Sequence, residues 1–390
     1  MENSNIAEKI LFAKEAAEYL GISVQRLFQL VNEGKIIPIK KSSAGTLFII
    51  DELEKRKAEM AIFDSTNKMS QMRGEFEINT KIRQEAVNFA TVIEITKRTE
   101  PYAEQIFNEL SKRIDVSVPL PQKAKEYSIA CNATESEVVN VYNSTYKCFT
   151  RLKKTDEIIK RGEDNYPILL SKTEQAPRFL YLRGNAELLN NRIVSVVGSR
   201  QASEDGKKRA AKLARILGMN GITIASGLAK GIDVSAHIAA LHFGFNTISV
   251  IGTELNKYYP KENESVQKEI ETKGLVVSQF SPASTTQRWH FPLRNSVMSG
   301  LSLATIIVEA GETSGALKQA DYALKQKRLV LIPKSAVDNE QLSWPKKYTA
   351  REGAVVVKNT DEIIEALSKM NIFEIEISRN QIDTQISIFE

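Results

Sequence analysis

From Asn165 to about Leu367 the hydrophobic pattern alternates between short, wholly apolar runs and longer stretches with apolar residues at helical spacing. The runs at 193–197, 222–225, 247–251, 275–278, 303–308, 329–332 and 354–357 have the length and type of buried parallel strands. Between the first two, Ala210, Leu213, Ala214 and Leu217 recur on one face of a predicted helix. Strands alternating with helices predict a single α/β domain over 165–368, a doubly wound parallel sheet.

Ahead of it the pattern changes twice. Phe12 to Leu20 is amphipathic, Gly21-Ile22 makes a tight turn, and Ser23 caps a second helix running through Val31. That spacing predicts a helix-turn-helix whose second helix buries Val24, Leu27, Leu30 and Val31 and turns Gln25, Arg26 and Gln29 outward. Residues 36–50, with Lys40 and Lys41 near the tip, read as a basic hairpin wing, and Asp51 caps a closing helix. The unit, placed at 1–60, resembles the winged helix-turn-helix domains of the excisionase and MerR type. That implies contact with duplex DNA, with docking to protein as the alternative.

Residues 61–164 are polar and helix-prone, with Val87, Ala90 and Ile93, then Val138, Val141 and Tyr142, at helical spacing. They predict a helical connector, opening with a hinge or coil over 64–80 and interrupted at Pro119 to Pro121. The charged run Arg151 to Arg161 reads as its last helix, either a solvated face or a phosphate-tracking stripe.

Composition narrows the classes. With 390 residues, 42% of them hydrophobic, the chain has core enough for two or three domains. No stretch approaches the roughly 20 apolar residues of a membrane span, and the N-terminus lacks a secretory signal's apolar centre. Cys131 and Cys148 have no metal or redox spacing, so the expectation is a cytoplasmic protein with no metal and no cofactor. A net charge of +5 permits nucleic-acid binding without demonstrating it.

The candidate chemistry lies at two strand-to-helix turns. The first is Gly198-Ser199-Arg200, followed by Ser203 as N-cap. A helix start after a glycine turn offers free N–H groups and a positive dipole end, and Arg200 adds a planar donor fork for phosphate. The second turn runs from Ser226 to Asp233, where Gly227 and Gly231 give a ligand room to approach the backbone. A dinucleotide fold needs three glycines in one turn and an acid about 20 residues on, which this sequence lacks. His237 reads as a structural histidine, and Glu309, ending a strand, as a helix-capping and pocket-shaping acid; a hydrolase of related fold would use it catalytically.

The motifs NYPILL, PRFLYLRG, VVGSR, SGLAKGID, YYPKEN, SQF, FPLRN and VEAGETSGAL occur in this order. Together they resemble the Rossmann-like domain of the DNA processing protein A family, also called Smf. The resemblance implies a non-enzymatic, dimeric binder of single-stranded DNA that helps load the RecA recombinase during DNA uptake or recombination. It carries Gly198, Ser199, Arg200 and Ser203 over as the first phosphate cradle, and Ser226, Gly227, Lys230 and Gly231 as the neighbouring wall. Arg288, Phe291, Arg294 and Asn295 become a segment that clamps backbone and stacks a base, with Trp289 either a second platform or a core anchor. The chain departs from the family in its N-terminal unit and connector, in lacking a C-terminal winged helix, and in having Ser296 where an arginine often follows FPxRN. In the tail at 369–390, Gln385, Ile388 and Phe389 resemble a sliding-clamp docking pentapeptide. Two other readings stay open: a nucleotide-binding or nucleotide-cleaving Rossmann-like enzyme, and a DNA-binding regulator driven by the N-terminal unit.

Overall fold

The computed structural model describes residues 10–32, 34, 36–42, 45–50, 52–54 and 81–370. Asp51, the proposed hinge at 64–80 and the tail residues Gln385, Ile388 and Phe389 lie outside them.

The N-terminal unit has helices Ala13–Leu20 and Val24–Asn32, with strands β1 (Ile10–Phe12), β2 (Lys40–Ser42) and β3 (Gly45–Ile49) in the order β1-β3-β2. Gly21, at φ 68°, ends the first helix in the left-handed conformation that glycine adopts without penalty. The Ser23 hydroxyl accepts from the Arg26 N–H at 3.1 Å, as a cap should. Ala16, Ala17, Leu20, Leu27, Leu30, Ile36 and Phe48 fill its small core. Three details differ from the sequence reading. Phe12 belongs to β1 rather than to the helix; Val24 is only half-buried; and Gln25, expected outward, is 1% exposed. Arg26 does point outward, Gln29 is half-buried, and Lys40 is exposed on β2, which also holds Lys41.

Helices 81–96, Glu100–Ser111, Ala124–Cys131 and Glu135–Phe149 form the connector. A short 3₁₀ turn at Leu120–Lys123 makes the interruption expected from the prolines. The buried Asn88 amide fixes that turn, donating to the Val116 and Val118 carbonyls at 2.8 and 2.7 Å and accepting from Leu120 N–H. Phe89, Phe107, Tyr127 and Val138 pack in one cluster with Ile158, Tyr181 and Val276 of the sheet, so connector and sheet share a core.

That sheet has nine strands: β4 (Glu157–Lys160), β5 (Phe179–Gly184), β6 (Ile193–Gly198), β7 (Thr223–Ser226), β8 (Thr247–Val250), β9 (Leu275–Ser278), β10 (Ala304–Glu309), β11 (Leu329–Pro333) and β12 (Ala354–Val357). The spatial order is β12-β11-β10-β6-β7-β8-β9-β5-β4. Strands β12 through β9 pair in parallel, as the apolar runs predict; β5 and β4 add an antiparallel edge. The charged run at 151–161 is therefore not a helix. Its Ile158 and Ile159 are both buried, one in each of the cores on the sheet's two faces, as successive strand residues must be. The sheet accordingly begins at Glu157 rather than after Asn165. Arg183 on β5 locks this edge through a bidentate pair with Asp156 at 2.7 Å, both side chains buried.

Candidate nucleic-acid interface

Both glycine turns sit at the carboxyl ends of parallel strands, and the chain fills most of the space between them. Strand β6 ends at Gly198, where a Cβ would lie 2.4 Å from Ile232 and 2.8 Å from the Glu309 carbonyl. Ser203 caps the Glu204–Met219 helix, accepting from the Gly206 N–H at 2.9 Å. Its own N–H and hydroxyl donate to the Glu309 carboxylate at 2.8 and 2.6 Å, and Arg209 joins at 2.9 Å. Partial burial disfavours this charge, but those hydrogen bonds prevail and hold the carboxyl below its ordinary range. The anion at this helix start is thus the chain's own: Ser203, expected in the phosphate cradle, is occupied by Glu309.

The second turn is tied to the first. Ser226 is buried with its hydroxyl donated to the Val196 carbonyl at 2.6 Å, so it faces the core rather than a ligand. The room left by Gly227 is taken by the Arg294 guanidinium, whose atoms lie 2.5 to 2.6 Å from where a Cβ would stand. Gly231, at φ 78°, likewise leaves its space to the first turn, where a Cβ would meet the Ser199 carbonyl at 2.3 Å. Both glycines therefore serve chain-to-chain approach, not the ligand approach read from sequence. Asp233 accepts from the Gly227 N–H at 3.1 Å.

Arg294 is 5% exposed and donates to the Gly227 carbonyl at 2.6 Å, to the Val250 carbonyl, and to Asn295 Oδ1 at 3.1 Å. Burial lowers its pKa to about 10, with Asp233 opposing, so the guanidinium is charged at neutral pH. Burial likewise pushes Asp233 up, and Arg294 pulls it back. A charged arginine at the base of the site supplies a fixed positive field but has no outward fork.

Above it opens a pocket of about 120 Å³. Of the residues singled out in the sequence, Gly198, Arg200, Phe291, Arg294 and Asn295 line it; Asp233 and Lys318 join them without having been singled out for it. Lys318 was legible in principle, one turn into the Gly315–Lys325 helix that the GETSGAL motif opens. Arg200 and Lys318 are exposed. Phe291 leans on Gly252 and on the Tyr259 ring, centroids 5.0 Å apart. Lys230 is not part of the lining; it is exposed and pairs with Glu262 at 2.6 Å. Ser199 is not part of the lining; its hydroxyl accepts from the Gln201 N–H at 3.1 Å. Arg288 is exposed, and so is Trp289, 54% accessible and set edge-on against His290, which stacks on Phe280 at 3.9 Å. Ser296 is buried, its hydroxyl donating to the Leu293 carbonyl at 2.7 Å. His237 is buried 2.7 Å from the Thr247 hydroxyl, and burial drives its pKa down to about 3, as befits a structural histidine.

Among the described residues no helix is long and apolar enough to cross a membrane, and no cluster of His, Cys, Asp or Glu could hold a metal ion.

Residues 157–368 match the family model described as DNA recombination-mediator protein A, and the match begins at the first residue of β4. The chain is 40% identical over 203 residues to the DNA processing protein DprA of Streptococcus pneumoniae, covering 52% of this chain and 71% of that one. It is 28% identical over 261 residues to the DprA of Bacillus subtilis, covering 66% and 88%. The X-ray structure of pneumococcal DprA superimposes with a TM-score of 0.56 at 30% identity, covering 73% of this chain and 95% of that one. The order of the motifs, the nine-stranded sheet and these matches agree: the chain belongs to the DNA recombination-mediator protein A family, the DprA/Smf proteins.

Proposed function

We propose that this chain holds single-stranded DNA by its phosphate backbone at the carboxyl edge of the sheet and, as a homodimer, passes the strand to a RecA-type recombinase. The observation that carries the reading is the convergence of Arg200, Lys318 and the buried Arg294 with the Phe291 ring on one pocket. Single-strand binders combine a cationic groove with aromatic faces, because every base has a stackable face and every nucleotide a phosphate. At about 120 Å³ the pocket is well below the roughly 300 Å³ at which pockets enclose drug-sized ligands, which suits a phosphate or one base of a strand lying across the surface. Exposed Arg288, Trp289 and Lys230 extend the surface such a strand would follow. Membership in a DNA recombination-mediator family supports the same direction.

Against the nucleotide-cleaving alternative stands the engagement of both Glu309 oxygens by Ser203 and Arg209. A gel shift comparing oligothymidylate, duplex and mononucleotide at two salt concentrations tests the reading. The expected order is single strand well ahead of duplex, with no competition from mononucleotide. Tighter duplex binding, or release of free base from a nucleoside monophosphate that stops in a Glu309→Gln variant, would overturn it.

A further inference from the structure

Part of the second helix of the N-terminal unit faces the α/β domain rather than solvent. Gln25, at the position that should read DNA, is 1% exposed and reaches into the α/β domain. Its Nε2 donates to the Thr223 hydroxyl at 3.3 Å, and its Oε1 accepts from the Asn246 N–H. Thr223 opens β7 and Asn246 immediately precedes β8, so the contact falls on the amino edge of the sheet, at the far end of these strands from the pocket. Two glycines of the α/β domain lie against the helix: a Cβ at Gly221 would lie 3.8 Å from the Gln29 Cβ, and one at Gly244 would lie 3.7 Å from Val24 Cγ2, ordinary contact distances. The seam is not packed like a core. It leaves a cleft of about 460 Å³ open to solvent, lined by Lys14, Glu18 and Val24 on one side and Leu241, Phe245 and Lys273 on the other. Contacts between units of one chain are looser and more polar than a core.

We infer that this helix is a latch onto the amino edge of the sheet, and that duplex DNA reaches it only after release. A helix reading a major groove about 12 Å wide needs its outer face clear, and here Gln25, Val24 and Gln29 are against protein. The latch lies at the opposite strand ends from Arg200 and Phe291, so single-strand binding is independent of it.

Cysteines at Gln29 and Gly221 in the full chain test the inference, with Cys131 and Cys148 changed to serine. The 3.8 Å separation is within the range of disulfide Cβ atoms, so mild oxidation should crosslink the chain internally, read as a shift on a non-reducing gel. Thr223→Val, on the α/β side of the seam, leaves the reading helix intact but strands the buried Gln25 amide, and should raise duplex binding about fivefold or more. The crosslinked chain should gain none, and oligothymidylate binding by every variant serves as the check of folding. Failure to crosslink in a chain that still binds oligothymidylate would overturn the latch. Equal duplex binding by the crosslinked and Thr223→Val chains would overturn its control over duplex access.

Discussion

Two arginines border the same pocket, yet their replacement by alanine should have opposite signatures. Arg294 is buried with three acceptors and the Asp233 carboxylate for company. Removing it takes the opposing charge away from the desolvated Asp233 carboxyl and leaves the Gly227 and Val250 carbonyls short of a donor. Each buried polar group left unpaired costs about 1–3 kcal/mol, so the sum is a large share of the roughly 5–15 kcal/mol by which domains are stable. Arg294→Ala should therefore unfold at markedly lower denaturant, and adding Asp233→Asn to an Arg294→Met variant should recover part of the loss. Arg200 is exposed, and its removal should change stability by no more than about 0.5 kcal/mol. Its effect should appear in strand binding, where one lost phosphate contact flattens the log–log salt dependence by roughly 0.7. A fourfold rise in salt would then weaken the wild type about 2.6-fold more than the variant. Denaturant unfolding paired with fluorescence anisotropy of labelled oligothymidylate over a salt series measures both. If Arg294→Ala kept the wild-type midpoint while losing affinity, Arg294 would be a direct contact and the reasoning here would be wrong. An unchanged salt slope in Arg200→Ala would remove that residue from the binding surface.

Burial keeps His237 and His290 neutral, with pKa values lowered to about 3 and about 4. The unfolded chain takes up protons at both as pH falls through 6.5, so stability is full above 6.5 and should drain away toward pH 4. His237→Asn should flatten that stretch of a midpoint-against-pH curve, and a wild-type curve already flat there would contradict the assignment. The chain has 2 tryptophans; Trp344 is 2% exposed and Trp289 is 54% exposed. Oligothymidylate should quench emission in wild type and Trp344→Phe but not in Trp289→Phe, and quenching that survives in Trp289→Phe would take that ring off the strand's path.

What the sequence made legible follows from burial. Six of the seven parallel strands are buried on both faces and the edge strand β12 only in part, so they read as unbroken apolar runs, and each appears near its expected place. Strand β4 has only Ile158 and Ile159 between charged neighbours, which resembles a solvated helix until β5 pairs with it and its Arg183 meets Asp156. At the site, residue types were readable but directions were not. Serine, arginine and glycine serve a phosphate or the chain's own polar groups equally well, and only the fold shows Ser226 turned inward and Arg294 seated on Gly227. Gln25 was misjudged for a related reason: helical spacing separates the unit's own core from everything else, and gives no sign that another unit of the chain covers the remainder.

The cross-ties between the two glycine turns have a thermodynamic consequence. With Gly231 wedged under Ser199 and Asp233 fastened to Gly227, the receptacle has little slack to lose when something enters it. Ordering on association then falls almost wholly on the incoming polymer, so affinity should track the ligand's stiffness: a limp homopyrimidine gives up more freedom than a stacked purine tract, and the rigid cradle cannot share the loss.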